Sequence, residues 1–270
     1  MTNGETSAPL TPRQAIARWQ RKEIDGPALT RCLVSYDKWQ VPVAEASVAE
    51  TLQGRAQPRV LFSRDQEGVT RLFIFSDGAA CDAYRGATGT TSEQYFIETT
   101  GTWVFRLPLE QFDSIVIDRR SPHEITCWPK QYDTLRLVAG AVEVEEALAA
   151  LRAGTGDGER LLALVANYPE YSMPVSKSET GYRAALAPDP TGRALAAVFT
   201  AEDAFDAYLE ASKGQAGAGE RLQMRLTGPE LFARLQQMRL NGVVFNCYGP
   251  PKPVAFAARF AEIALQHARG

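Results

Sequence analysis

An α+β fold built from two tandem repeats of a small mixed-sheet unit, with helices packed on it, is what the sequence predicts. Three observations carry that prediction. The chain aligns with itself at nearly constant offsets, a signal best sought before any other because a missed duplication misreads the whole fold. Apolar residues recur at helical spacing in some segments and in short β-rich runs in others. Turn clusters of Pro, Asp and Gly separate adjacent strand-like runs, as antiparallel hairpins require.

The self-alignment sets Ala15-Ile16-Ala17 on Ala147-Leu148-Ala149 and Asp25-Gly26 on Asp157-Gly158. In the same register Leu29 meets Leu161, Leu33 meets Val165, Tyr36 meets Tyr168, Trp39 meets Tyr171, and Pro42-Val43 meets Pro174-Val175. After a loop of different length Phe75-Ser76 falls on Phe199-Thr200 and Asp82-Ala83-Tyr84 on Asp206-Ala207-Tyr208. Arg106-Leu107 is then matched with Arg225-Leu226, and Ile115-Val116-Ile117 with Val243-Val244-Phe245. The offset changes between apolar segments, where loops tolerate insertion. The reading divides the chain into a short lead over 1–10, a first repeat over 11–140 and a second over 141–270.

Each repeat opens with a helix. Thr11 and Gln14 form a capping-box pattern with Pro12 at the first helical position, and Ile16 and Trp19 are expected to face inward. A second helix follows Asp25-Gly26-Pro27, or Asp157-Gly158, and leads into the strands Trp39–Val43 and Tyr171–Val175. A proline inside each strand points to an edge or a bulge. Tyr182–Ala187 and Arg193–Phe199 flank the turn 188–192, and Val60–Ser63 with Thr70–Phe75 repeats the plan. Ser76 and Thr200 are expected to cap the next helices, the latter carrying Ala204, Phe205, Tyr208 and Leu209 on one face. The strand Leu222–Leu226 runs into a cap at Thr227-Gly228-Pro229-Glu230, and Asn241-Gly242 stops the helix that follows. Pro253 is expected to start a final helix with Phe256, Phe260, Ile263 and Ala264 inward. Between Leu107 and Ser114 the first repeat has room for only a turn of helix.

Composition narrows function by exclusion. The 270 residues are 45% hydrophobic with a formal charge of -3, enough apolar material for a core without staples. Acids and bases are well mixed, with no basic run to suit nucleic acid. No apolar stretch suits a membrane span, and the polar start lacks the pattern of a signal peptide. Cys32, Cys81, Cys127 and Cys247 lie far apart, as buried reduced thiols would, so a cytoplasmic setting is expected.

Catalytic and cofactor motifs find little material, and no cofactor, metal site or catalytic residue is assigned. The chain has two histidines, His123 and His267. His123 and Cys127 would offer two zinc ligands only on a helix, whereas Ile125-Thr126 reads as strand. The glycines of 154–158 and 214–219 lack the Gly-Lys-Ser/Thr ending of a phosphate cradle. Carboxylate pairs such as Glu145-Glu146 and Glu202-Asp203 suit helix starts and solvated faces.

All four tryptophans, Trp19, Trp39, Trp103 and Trp128, fall in the first repeat. Core packing is one reading of them; an aromatic hot spot for a partner is the other. The candidate partner-binding residues are therefore Trp39, Trp103, Trp128 and Tyr171, with Tyr248, Pro250 and Pro251 in a rigid Pro-rich loop.

Met173-Pro174-Val175, Ala197-Val198-Phe199-Thr200-Ala201-Glu202 and Gly242-Val243-Val244-Phe245-Asn246 resemble marks of the SseB-like family, and the first repeat shares the same plan more faintly. The resemblance implies a bacterial interaction protein tied to regulation or secretion, from a family with no agreed catalytic residues. A non-catalytic protein-binding or regulatory module, secretion-associated or of immunity type, is the leading expectation. The alternative is a small-ligand sensor with a pocket between the repeats.

Overall fold

A computed structural model describes residues 9–44, 58–88, 94–108, 111–178, 181–187, 192–213, 221–238, 240–247 and 254–269. The expected turn at 188–192, the Gly-rich stretch 214–219 and the loop around Pro250 lie wholly or mostly outside these residues. The fold is α+β with mixed sheets, as the sequence predicts. The chain divides into two compact units, Met1–Ala139 and Gly140–Gly270.

The first unit contains α1 (Pro12–Gln20), α2 (Gly26–Ser35), β1 (Trp39–Ala44), β2 (Ser63–Arg64), β3 (Thr70–Ile74) and α3 (Gly78–Thr88). After these come β4 (Gln94–Thr99), α4 (Gly101–Val104), β5 (Ser114–Ile117) and β6 (Ile125–Cys127). Helix α5 (Pro129–Arg152) carries the boundary between the units. β1 pairs antiparallel with β4, and a second sheet runs β2-β3-β5-β6 with β3 and β5 parallel. Bridges at Gln40–Phe75 and Val43–Val60 join the two. The parallel pair needs a crossover, which α3, β4 and α4 provide.

The second unit contains α6 (Gly158–Ala166), β7 (Tyr171–Ser178), β8 (Gly181–Ala184), β9 (Leu186–Ala187), β10 (Leu195–Val198) and α7 (Glu202–Ser212). It continues with β11 (Arg221–Leu226), α8 (Gly228–Gln237), β12 (Gly242–Phe245), β13 (Val254–Ala257) and α9 (Ala258–Arg269). Its sheets run β11-β7-β8 and β13-β12-β10-β9, with β10 and β12 parallel and a bridge at Ser172–Phe199. The same scheme of pairing thus occurs in both units.

Local signals formed where the sequence placed them. Thr11 and Gln14 close a capping box on α1, Asp25 Oδ1 accepts from Ala28 N at the start of α2, and Thr227 with Glu230 closes a box on α8. The strand prolines sit where no ladder bond is lost. Pro42 O accepts from Leu61 N, so its ring nitrogen faces away from β4. Pro174 O likewise accepts from Ala185 N, beyond the last β7–β8 pair at Val175–Ala184.

One geometry recurs around each β1-type strand. Trp39 Nε1 donates to Leu33 O at 3.0 Å, and Tyr171 OH donates to Val165 O at 2.8 Å. These carbonyls belong to the last turns of α2 and α6, where the helical ladder runs out; Val165 O accepts from Tyr168 N as well. Tyr36 OH donates to Ser76 O, and Tyr168 OH to Thr200 O. Gly101 N donates to Tyr36 O and Gly228 N to Tyr168 O. A Cβ on Gly101 would stand 2.3 Å from Val34 O, and one on Gly228 2.2 Å from Ala166 O. Only glycine lets α4 start against the end of α2 and α8 against the end of α6.

A second recurrent feature closes the parallel strands. Asp118, at φ 49°, accepts from Ser76 N and Ser76 Oγ, both at 2.7 Å. Asn246, at φ 50°, accepts from Thr200 N at 3.0 Å and donates to Thr200 Oγ1 at 2.9 Å. Asp118 is fully buried, and Arg13 of α1 lies 3.4 Å from its Oδ2.

Several expectations need correction. Ser76 and Thr200 do not cap their helices, because Asp118 and Asn246 engage their hydroxyls. Asp77 Oδ1 caps α3 through Ala80 N, while α7 has no side-chain cap and relies on Glu202 and Asp203 in its first turn. Trp19 is exposed, although Ile16 is buried. The counterpart of Arg225-Leu226 is Glu98-Thr99, not Arg106-Leu107, since Thr99 pairs with Trp39 as Leu226 pairs with Tyr171. The short helix is therefore α4, and it begins at Gly101 rather than after Leu107. Residues 254–257 form strand β13 along β12, so α9 starts at Ala258 and buries Ala261, Ala264 and Leu265 while Ile263 is exposed.

Gly101→Ala and Gly228→Ala should each destabilise their unit by about 3 kcal/mol or more, from overpacking against a backbone oxygen. Gly26→Ala, with nothing within 4 Å of the added carbon, should stay within about 0.5 kcal/mol. Urea denaturation measures all three. Asp118→Asn retains an acceptor for Ser76 N, as Asn246 does for Thr200, and should cost less than Asp118→Ala. The alanine leaves that buried N–H without its acceptor, at about 1–3 kcal/mol.

Candidate functional site

The aromatic candidates divide by burial. Trp39 and Tyr171 are fully buried core residues whose polar atoms are committed to helix carbonyls, so neither presents a surface to a partner. Trp39 makes edge contacts with Tyr36 and Phe105, and Tyr171 packs on Tyr168, Phe232 and Phe245. Tyr248, Pro250 and Pro251 lie outside the described residues. Trp103 and Trp128 remain, each in its own setting, with no ring contact between them among the described residues.

Trp128 follows edge strand β6 and precedes α5. Its backbone N–H donates to Gln131 Oε1 at 3.2 Å, which fixes the chain at the helix start. Its side of the fold leaves the residue 46% exposed. The Arg71 guanidinium lies 5.6 Å from the indole centroid, a cation–π arrangement. Arg71 is held there by Asp65, whose Oδ2 lies 2.9 Å from Nη2. Asp65 in turn closes the β2–β3 turn by accepting from Glu67 N and Val69 N. The Arg71 hydrogen bond, followed by those backbone donors, holds its carboxyl below the usual range. The strand turn thus sets the carboxylate, the carboxylate sets the guanidinium, and the guanidinium sits over an exposed indole.

Trp103 stands on α4, whose first turn is capped by Thr100 Oγ1 accepting from Trp103 N. It is half-buried and lines a cleft of about 340 Å³ with Pro58, Val60, Leu107, Pro108, Arg59 and Gln111. A second cleft, of about 480 Å³, lies in the other unit between α8, β12, β13 and α9, with Leu235, Val243 and Ala261 among its apolar walls and Glu262 and Gln266 among its polar ones. Both volumes fall within the range of small-molecule sites. Neither brings together a nucleophile, a base and an oxyanion donor.

Arg71 escaped the aromatic search although the alternation of Thr70-Arg71-Leu72-Phe73-Ile74 puts it on the face opposite buried Leu72 and Ile74. Tyr182 and Leu186, exposed on β8 and β9, carry the same kind of signal.

Groups with reactive chemistry are otherwise occupied. His123 sits in the turn before β6, where its N–H donates to Ser121 Oγ, so it shares no helix with Cys127. His267 Nε2 lies 3.2 Å from Glu159 on the surface. No cluster of three metal-ligating side chains occurs among the described residues. Asp157 Oδ1 caps α6 through Glu159 N, so the glycine stretch 154–158 ends in a helix start already filled by its own side chain. All four cysteines are free. Burial pushes the thiols of Cys81, Cys127 and Cys247 up to about 12 and raises that of Cys32. Among the described residues no helix is long and apolar enough to cross a membrane.

No family model and no curated protein matches the chain. Among solved structures it is similar to Anabaena Tic22 (protein transport), at 10% identity over 82% of this chain and 92% of that one, with a TM-score of 0.23. Tic22 from Plasmodium falciparum matches at 9% identity over 76% and 84%, with a TM-score of 0.20. Likeness at that level carries no functional argument.

The thiols give a pH dependence of defined sign. Their folded values lie above the unfolded thiol near 8.5, so above that pH the unfolded chain releases its protons first. Stability from these groups is complete below about pH 8.5 and is lost as pH rises toward about 12. Urea midpoints measured from pH 7 to 11 should fall. In the folded protein at pH 8, Cys127 and Cys247 should react with a thiol reagent far more slowly than after denaturation.

Proposed function

We propose that the chain is a non-catalytic protein-binding module of two diverged copies of one unit, with recognition concentrated on the first. The observation that carries this reading is the exposed Trp128 indole, contacted by the Arg71 guanidinium that Asp65 holds in place. An exposed tryptophan held in place loses little freedom on binding and suits the anchor of an interface. The matched pairing schemes, the paired Gly101 and Gly228, and the paired Asp118 and Asn246 support the duplication. The copies differ where recognition would reside: Trp128 and the Trp103 cleft belong to the first unit alone. Buried thiols, scattered histidines and clefts without a reactive constellation favour binding over catalysis. The SseB-like marks fall on β7, on β10 with its Thr200 end, and on β12, so they describe the scaffold of the second unit.

Trp128→Ala removes a cation–π contact worth about 0.5–1 kcal/mol and should leave the fold intact. It should weaken capture of a specific partner from extracts of the source cells by about 30-fold, the cost of a hot-spot residue. Trp19→Ala, a change at an exposed tryptophan of α1, should leave capture unchanged. Equal recovery by Trp128→Ala and wild type would count against the reading.

A further inference from the structure

The bonding scheme shared by the two units fixes which residues are counterparts. Asp113 Oδ2 accepts from Thr70 N at 2.7 Å just before β5, and Asn241 Oδ1 accepts from Ala194 N at 2.9 Å just before β12. Phe112 and Leu240, one residue earlier, therefore occupy the same place. On the neighbouring strand Cys127 of β6 pairs with Ile115 as Phe256 of β13 pairs with Val243. Helices α5 and α9 each start two residues after these, at Pro129 and Ala258. Trp128 therefore corresponds to Ala257, Gln131 to Phe260, Tyr132 to Ala261 and Asp133 to Glu262.

The first unit fills this place with rings. Phe112 and Tyr132 meet edge to face at 5.5 Å, and both are buried. The second unit puts an isobutyl group and a methyl group there, and the residue before the helix shrinks from an indole to a methyl group. Leu240, Ala257 and Ala261 accordingly line the cleft of about 480 Å³. The core of the second unit keeps its ring contacts by another route. Phe260, where the first unit has Gln131, packs on Phe232 at 6.1 Å and on Phe245 at 6.4 Å. The cleft is bordered by the exposed residues Gln236, Glu262 and Gln266. Among the described residues that line it, only Glu262 carries a charge.

We propose that this cleft binds a small molecule in which an aryl ring is joined by a short chain to a protonated amine. The ring takes the volume that Phe112 and Tyr132 fill in the first unit, against Leu240, Val243 and Ala261. The ammonium pairs with the Glu262 carboxylate, and the amide oxygens of Gln236 and Gln266 are acceptors for its remaining N–H groups. The cleft has the volume of a small-molecule site and its usual composition, apolar walls with a few polar groups. An aromatic carboxylate of the same shape brings a like charge to Glu262, and a plain alkylamine leaves the ring volume unfilled. The proposal is independent of the Trp128 reading, because it rests on the second unit alone.

Methyl NMR titration of the full chain tests it, with 2-phenylethylamine as the probe and 3-phenylpropionate and n-butylamine as controls. 2-Phenylethylamine should shift the Leu240 and Val243 methyl resonances saturably. Each control lacks one of the two contacts and should bind about tenfold more weakly or not at all. Glu262→Gln should weaken 2-phenylethylamine about twofold to fivefold, the value of a partly exposed ion pair, and narrow its lead over 3-phenylpropionate. Ala261→Tyr, which restores the first unit's residue, should abolish the shifts, with circular dichroism reporting the fold. If that variant unfolds, Leu240→Phe, which fills the same space, and Glu262→Gln decide. No saturable shift at these methyls would overturn the proposal. So would 3-phenylpropionate or n-butylamine binding as tightly as 2-phenylethylamine, or undiminished binding by a folded Ala261→Tyr variant. None of these outcomes bears on capture by Trp128→Ala, so the two readings fail separately.

Discussion

Closure of a parallel strand pair by a single side chain at its carboxyl end is the constraint on which each unit depends. A parallel pair has no tight turn to fix its register, since its strands are joined only through a long crossover. In both units the residue after the second strand adopts a left-handed backbone and turns its side chain onto the residue after the first. Asp118 does this to Ser76 and Asn246 to Thr200. The hydroxyl residue is then fixed from the other side, because its carbonyl accepts from Tyr36 or Tyr168. That tyrosine sits at the exit of a helix whose last turn offers one carbonyl to the Trp39 indole or the Tyr171 hydroxyl. Strand, helix end and crossover helix are thus joined in one chain of buried hydrogen bonds.

The two versions of the closure differ in charge. The neutral Asn246 needs only Thr200, whereas a carboxylate without water costs far more and demands a cation or several donors. Asp118 finds two donors in Ser76 and a guanidinium in Arg13 of α1. Helix α1 is thereby bound to the sheet by more than its apolar face. Arg13 also reaches Asp77, the cap of α3, so three elements meet at one cation.

Features governed by neighbours in sequence were legible from it. The boxes at Thr11 and Thr227 and the cap at Asp25 involve partners three residues away, and each formed. Matched apolar signals around Leu33, Tyr36 and Pro42 likewise located the strands. Features decided by distant partners were not legible. Ser76 and Thr200 look like caps, yet the side chains that claim them come from residues 42 and 46 positions on. Residues 254–257 read as a helix start until β12 offers them a ladder. Trp39 and Trp128 are the same residue type in similar apolar runs, and only the sheet edge separates a core residue from a surface one. Half of the candidate site was therefore visible as residue type, while its geometry, supplied by Arg71 and Asp65, required the turn to be seen closed.

Helix α5 is a single rod of 24 residues, and its two ends serve different cores. Tyr132 near its start packs on Phe105 and Phe112 and donates to Leu107 O, whereas Gly140 admits the Tyr168 ring at 3.2 Å and Val144 and Leu148 are buried further on. The division between Ala139 and Gly140 therefore falls inside this helix. A gene fragment ending at residue 139 would keep the buried Tyr132 and Leu135 but would end inside the helix. One starting at residue 140 would begin inside a helix deprived of its first three turns. Each half, expressed alone, carries a complete helix only if it includes the whole of Pro129–Arg152, so these residues must be counted twice in any dissection of the protein.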